Sequence, residues 1–490
     1  MRILFICSEY EGLIKTGGLA DACRGLASSL LAAGHQVSVI LPRYGALYNV
    51  TTEGEASVFV ELGGQQFGCA VRSTQLHGVT VYLVEHHDFF ARERPYDDGQ
   101  HGYADNPLRF AFFCKVAIAW AARQQVFDVL HGHDWQSAPA AFYLHQHHQY
   151  NQRQHSSQSL AGVPFVFTIH NGAYQQQSDA GWAPQLGLPL RQQAVQDEHD
   201  HEYPHQLNFL QIALQYATKI NTVSQGYRDE LLSEPAANGL AGWYQLRQPD
   251  FSGILNGCDY QLWDPATDQA ISANFHAGDL AGKATCKRQL QQECQLAQSN
   301  VPLLVAVSRV TGQKGYDILI PALKHLLNHY PVQVVIVGSG EASYCRQLHQ
   351  LTVVFPDKFR FIEGFNEQLA HQVEAAGDFF LMPSLFEPCG LNQLYSLRYG
   401  TLPVVRLTGG LKDTVVPWPD NKATGIGFTE PNTEALLEAL RQALKLYQDQ
   451  QAYKKIQQRA MTQSFSWEEA TEQYLVLYRH AVDAAAKMNN

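Results

Sequence analysis

Three short stretches hold residue types that bind and stabilise negative charge. Lys15-Thr16-Gly17-Gly18-Leu19-Ala20-Asp21 sets a mobile ammonium beside two glycines, where an apolar run gives way to a helical pattern. Glycines there let backbone N–H groups approach an anion, and a helix N-terminus adds a favourable dipole. The stretch is neither G-x-x-x-x-G-K-[ST] nor G-x-G-x-x-G. By residue type alone, a tight strand–helix turn needing glycine for packing explains it as well. Ser308-Arg309-Val310-Thr311-Gly312-Gln313-Lys314-Gly315 places a guanidinium fork and a compact ammonium in one loop. That pair suits a leaving diphosphate, whose charge grows as the bond breaks; two solvated basic residues are the alternative. In Phe386-Glu387-Pro388-Cys389-Gly390-Leu391-Asn392-Gln393, a carboxylate precedes a turn whose amides at Gly390, Leu391 and Asn392 would face an anion at a helix N-terminus. Glu387 then reads either as a partner for sugar hydroxyls or as an acid complementing the helix dipole.

Weaker signals lie elsewhere. Gly338-Ser339-Gly340 follows an apolar run, but a lone Gly-x-Gly is unspecific. His131-Gly132-His133-Asp134-Trp135 and His170-Asn171-Gly172 both end strand candidates, and the H-x-H pair reads as packed or hydrogen-bonded histidine rather than a metal site. Residues His145–Gln158 carry four histidines, and Arg191–Gln206 adds His199, His201 and His205. Their irregular spacing predicts solvated loops. No metal site is expected.

The rest of the composition narrows the class. The 35 Lys and Arg against 46 Asp and Glu leave a net charge of −11 over 490 residues, with no global pull toward nucleic acid or an anionic membrane. Nine scattered cysteines, none three apart, point to reduced thiols rather than C-x-x-C chemistry. The apolar run at Ile3–Cys7 is too short for a secretion signal, and no stretch approaches the ~20 apolar residues of a membrane span. A soluble, cytoplasmic protein is expected.

Elements that must position these groups can be read from periodicity. Ile3–Cys7 as a strand, Leu19–Ala33 as a helix closed by Gly34 and Gln36–Leu41 as the next strand make one βαβ unit. Further strands are expected at Phe127–Leu130, Phe165–Ile169, Lys219–Val223 and Ser252–Leu255, with antiparallel strands between Glu53 and Val84. A second series comprises Leu303–Val307, Val332–Val337, Phe359–Ile362, Phe379–Met382 and Pro403–Val405. A helix begins at Ser466, followed three residues later by Glu469. The pattern predicts an α/β protein of two doubly wound domains: residues 1–255, residues 256–465, and a terminal helix over 466–490.

In order and spacing these motifs resemble the glycogen and starch synthase family, and within it the bacterial glycogen synthases. The likeness rests on the Lys15–Asp21 stretch, Leu41-Pro42-Arg43-Tyr44, Tyr103-Ala104-Asp105-Asn106 with Arg109-Phe110, His133-Asp134-Trp135, His170-Asn171, Asn221-Thr222-Val223-Ser224, Gly253–Asp259, Ser308-Arg309 with Gln313-Lys314-Gly315, and Glu387–Leu391 with Gln393-Leu394-Tyr395. The resemblance implies a GT-B fold, with two Rossmann-like domains facing a deep cleft and the final helix returning to the first domain. It implies a retaining hexosyltransferase that moves glucose from ADP-glucose to the non-reducing end of an α-1,4-glucan, with no metal and no pyridoxal phosphate. The first domain would then serve the glucan and the second the nucleotide sugar. Carried over by position, Arg309 and Lys314 would bind the donor phosphates, with Lys15 and the Gly17 and Gly18 amides closing on them from the other domain. Glu387 would hold glucose hydroxyls, while Asp134, His170 and Asn256 line the sugar pocket. Phe365 would lie against adenine, and Cys389, Gly390, Leu391 and Asn392 would form the phosphate-side turn. Glu9 and Tyr96 are weaker sugar-side assignments. The chain departs from the family pattern at Gly12, where Pro is usual, at Ala22-Cys23-Arg24 on the first helix, at Asn392, where Thr is usual, and after Gln175. Intact Arg309, Lys314 and Glu387 weigh against a glucan-binding relative without catalysis. The Lys15–Asp21 stretch weighs against transferases of other nucleotide sugars, and no lysine context suggests a phosphorylase.

Overall fold

A computed structural model describes residues 1–124, 127–154, 160–190 and 206–489. The chain divides into two compact units, Met1–Gly257 with Trp467–Asn490, and Cys258–Ser466.

In the first unit the strands are β1 (Arg2–Ile6), β2 (Gln36–Pro42), β3 (Glu53–Leu62), β4 (Gln65–Leu76), β5 (Val79–Glu85), β6 (Val129–His133), β7 (Phe165–Ile169), the short pair β8 (Gln177–Asp179) and β9 (Gln206–Asn208), β10 (Lys219–Thr222) and β11 (Phe251–Gly253). Nine form one sheet, in the order β11-β10-β7-β6-β1-β2-β5-β4-β3. Ile3 to Ile6 are wholly buried, as a strand covered on both faces requires. In β3, by contrast, only Val58, Val60 and Leu62 are buried, which marks one solvated face. The segment expected to be antiparallel is so along β3–β4–β5, but β5 also pairs with β2 in parallel. It therefore fuses the added strands to the main sheet.

The helix Gly18–Ala32 follows β1, with Gly34 in the left-handed region at φ +84. One expectation fails here. Residues 145–154 are not a loop: they continue the helix Pro139–Gln154. Ala140, Leu144, half-buried His147 and His148, and buried Asn151 keep a helical spacing toward the interior. Polar residues on the outer face hid that period. Positions 155–158 and 191–205 of the two histidine-bearing stretches lie outside the described residues.

The helix Trp467–Asn489 belongs to the first unit. It buries Ala470, Tyr474, Leu477, Tyr478 and Ala481. Two of its tyrosines close a buried polar chain. His131 Nδ1 lies 2.9 Å from the Tyr478 hydroxyl, and its Nε2 lies 2.7 Å from Thr168 Oγ1. Thr168 donates to Asn221, whose amide reaches the Tyr474 hydroxyl at 3.1 Å. His131 is thus a hydrogen-bonded core histidine, as its sequence context suggests.

The second unit carries β12 (Leu303–Val307), β13 (Gln333–Gly338), β14 (Phe359–Glu363), β15 (Phe379–Met382), β16 (Leu402–Arg406) and β17 (Ile426–Phe428). They form one parallel sheet, ordered β14-β13-β12-β15-β16-β17. Three-residue β17 was too short to show a period. Among the described residues no helix is long and apolar enough to cross a membrane.

The docking of the C-terminal helix makes a signed prediction. A Cβ on Gly25 would fall 2.1 Å from Trp467 Nε1. Gly→Ala within a free helix gains about 1 kcal/mol, whereas overpacking costs about 1–3 kcal/mol. Gly25→Ala is expected to lower stability in a denaturant melt and Gly25→Val to lower it further; a gain with Ala would mean the two helices are not tightly packed.

Candidate active site

The strand orders locate the ligand edges. In the first sheet β1 and β6 are neighbours whose chains continue in opposite directions across the sheet, and in the second β12 and β15 are the same. Carboxyl ends at such a switch are the open positions of a parallel sheet.

In the first unit, β1 leads into Glu9, whose carboxylate organises the glycine loop. It accepts the Thr16 amide at 2.5 Å, the Thr16 hydroxyl at 2.6 Å and the Gly17 amide at 3.3 Å. The Tyr96 hydroxyl donates to it at 2.7 Å and also meets Ser8 Oγ. Glu9 and Tyr96 thus hold the loop, a role the sequence did not reveal. Arg109, fully buried, donates to Asn106 and to the Phe89 and Pro95 carbonyls, which fixes the segment that presents Tyr96. Lys15 is exposed and paired with Asp21 at 2.6 Å. Gly17 is extended at φ −164, and an added Cβ would meet nothing within 4 Å. Neither strain nor packing demands glycine there. Gly18 opens the helix.

Asp134 follows β6 in the left-handed region at φ +55, a conformation aspartate tolerates better than most residues. Its carboxylate accepts the His170 amide at 2.7 Å and the Asn171 amide at 3.2 Å. Burial pushes this carboxyl up to about 7, against those two amides. His170, after β7, has its Nε2 3.1 Å from His133 Nδ1. Burial pushes the His170 imidazole down to about 3 and that of His133 well below its usual range, so both rings are neutral. Asn256 is buried, and its Oδ1 has no hydrogen-bond partner among the described residues. Asp134 and His170 are therefore brought together.

In the second unit, β12 runs into Ser308 and exposed Arg309, whose guanidinium donates to Gln313 at 3.1 Å. A 3-10 turn over Gly312–Lys314 ends at Gly315, φ +76, where a Cβ would sit 2.1 Å from the Pro383 carbonyl oxygen. This close approach brings Lys314 Nζ to 2.7 Å from Glu387 Oε2, which also accepts from Ser384 at 2.9 Å. Glu387 is buried and Lys314 half-buried. Glu387 is thus an ion-pair partner, not merely an acid before a helix. Gln313 bridges the two loops: its carbonyl accepts the Leu385 amide at 2.8 Å. The helix Asn392–Arg398 begins after Cys389, Gly390 and Leu391, and Asn392 donates its side-chain amide to the Val307 carbonyl at 2.5 Å. Cys389 is buried, and Gly390 sits at φ +74.

Two glycine pairs serve close packing. A Cβ on Gly338 or Gly340 would meet the Ser308 or Val310 carbonyl oxygen at 2.0 or 2.3 Å, so Gly338-Ser339-Gly340 supports the Arg309 loop. Gly409 and Gly410, not singled out from the sequence, press equally closely on the backbone of Glu387 and Cys389. Their place just past β16, at the same sheet edge, was the available signal. Phe365 follows Gly364 beyond β14 and is 70% exposed, an aromatic face open to a flat ligand.

The sequence and fold have clear relatives. Residues 2–246 match the starch synthase catalytic domain and residues 287–460 the glycosyl transferases group 1. The chain is 42% identical to a glycogen synthase from Aeromonas hydrophila, with 98% of each covered. It is 38% identical to one from Vibrio cholerae, covering 98% of this chain and 99% of that one. Its fold matches the catalytic domain of starch synthase IV from Arabidopsis thaliana, solved with ADP and acarbose, at a TM-score of 0.87 and 29% identity over 98% and 99% of the two chains. Two doubly wound units with these motifs at both switch points, and this identity over nearly all of its length, place the chain in the glycogen and starch synthase family of glucosyltransferases.

Proposed function

We propose that the chain transfers glucose from ADP-glucose to the non-reducing end of an α-1,4-glucan, retaining the anomeric configuration and using basic side chains rather than a metal at the diphosphate. The observation that carries this reading is the Lys314–Glu387 pair at the β12/β15 switch with Arg309 on the same loop. The ADP held by the Arabidopsis relative supports the choice of nucleotide. As the glycosidic bond breaks, charge grows on the diphosphate, and Arg309 and Lys314 offset it. Glu387 orients the ammonium and the sugar hydroxyls, and Phe365 offers its face to adenine. In the first unit, His170 and Asp134 line the sugar. A neutral imidazole adds no positive charge opposing the one that develops at the anomeric carbon. The protein works as a soluble enzyme with no prosthetic group.

Arg309 is the cleanest test, because it is exposed and, among the described residues, its guanidinium donates to the neutral Gln313 and forms no ion pair. Arg309→Ala is expected to cut kcat ~10²–10³-fold while moving stability by no more than about 0.5 kcal/mol; initial rates and a thermal melt settle it. Glu387→Gln keeps an acceptor for Lys314 and Ser384 but removes the charge. A fall in kcat far larger than the change in melting temperature is expected, whereas unchanged turnover with a lowered melting temperature would make the residue structural. Labelled glucose transfer to glycogen should be faster from ADP-glucose than from UDP-glucose and should persist in excess EDTA; loss with EDTA and rescue by a divalent ion would show that a metal is required.

A further inference from the structure

Beside the candidate sugar site lies a cluster that the transfer reaction does not use as a unit. Cys23, His133 and His170 each bring a ligand atom within 4.8 Å of the others. They come from three elements: the helix Gly18–Ala32, β6 and the loop after β7. His133 Nδ1 and His170 Nε2 are 3.1 Å apart. Two nitrogens bound to one tetrahedral zinc ion at ~2.0–2.1 Å stand about 3.3 Å apart, so the spacing matches to a few tenths of an ångström, and binding replaces the hydrogen bond between the rings as their lone pairs turn to the ion. His133 Nε2 is buried with no hydrogen-bond partner among the described residues, so this ring is not fully satisfied by the protein. Phe5 packs edge-on against the His133 ring, which restricts its movement.

We propose that Cys23, His133 and His170 form a binding site for a thiophilic divalent cation, with zinc as the type ion, whose occupancy blocks glucosyl transfer by capturing His170. An imidazole ligates as the neutral ring and need not lose a further proton to bind. Cys23 must: its S–H proton passes to solvent as the sulfur–metal bond forms. A soft thiolate with two imidazoles matches the donor set of zinc or cobalt(II) rather than of magnesium or calcium. The consequence is a reversibly inhibited enzyme, active in chelator and silenced by zinc. Only this inhibitory consequence rests on His170 lying beside the sugar; the binding does not.

Cobalt(II) titration of the full chain tests the binding directly, because a thiolate–cobalt charge-transfer band reports sulfur ligation and surface histidines do not produce it. The wild type is expected to show that band, to lose it on adding zinc, and to lack it in Cys23→Ala and in the more space-filling Cys23→Val. In parallel, the zinc concentration giving half inhibition should rise at least tenfold in whichever variant folds, with turnover in EDTA retained. No band in the wild type, or a band that survives in the folded Cys23 variants, overturns the site. A Cys23-dependent band with undiminished glucosyl transfer overturns the inhibitory consequence, and with it the placement of His170 at the sugar.

Discussion

Crossover helices cover both faces of a parallel sheet, but where neighbouring strands send their chains to opposite sides no helix can close over the carboxyl ends. That constraint operates twice in this chain, at β1/β6 and at β12/β15. The groups with the clearest proposed chemistry hang from those strands or their neighbours: Glu9 and Lys15 after β1, Asp134 after β6, His170 after β7, Arg309 and Lys314 after β12, Glu387 after β15. Glycines let the intervening loops approach. Gly315 packs against Pro383, and Gly409 packs against Glu387, at separations no side chain permits. In the second unit these backbone contacts set where the charged groups stand.

The charges also come already matched. Lys15 faces Asp21, Lys314 faces Glu387, and Glu9 is surrounded by amides and hydroxyls. On the proposed reading, a diphosphate exchanges one partner of Lys314 for another rather than meeting a bare cation. Part of the attraction is thereby spent on loosening the Glu387 contact, and the carboxylate so released is next to the sugar that arrives with the phosphates.

Periodicity revealed most of the scaffold. Phe165–Ile169, Leu303–Val307 and Phe379–Met382 are strands at the expected residues, because a continuous apolar run in a doubly covered sheet leaves little ambiguity. The helix through residues 145–154 escaped notice because its outer face is polar, and β17 because three residues hold no period. At the site, residue types pointed to Lys314 and Glu387 but not to their pairing, which depends on two loops separated by 73 positions meeting over Gly315. The loop-holding work of Glu9 was equally hidden, since its partners come from Thr16, Gly17 and Tyr96 in different segments. The Cys23 cluster needed three elements brought together in space; from the sequence, Cys23 was only a departure from the family pattern.

The C-terminal helix has a consequence for how the molecule is made. The first unit is interrupted at Gly257 and resumes only at Trp467. When a ribosome has released the first 257 residues, the sheet's partners for His131 and Asn221 are still more than two hundred codons away. During that interval the groove that later receives Tyr474 and Tyr478 is open, and the polar chain through Thr168 is unfinished at both ends. The second unit, Cys258–Ser466, is continuous and complete before the last helix emerges. The half of the protein synthesised first is thus the half that matures last, and its nascent form is the one that must be kept from premature association.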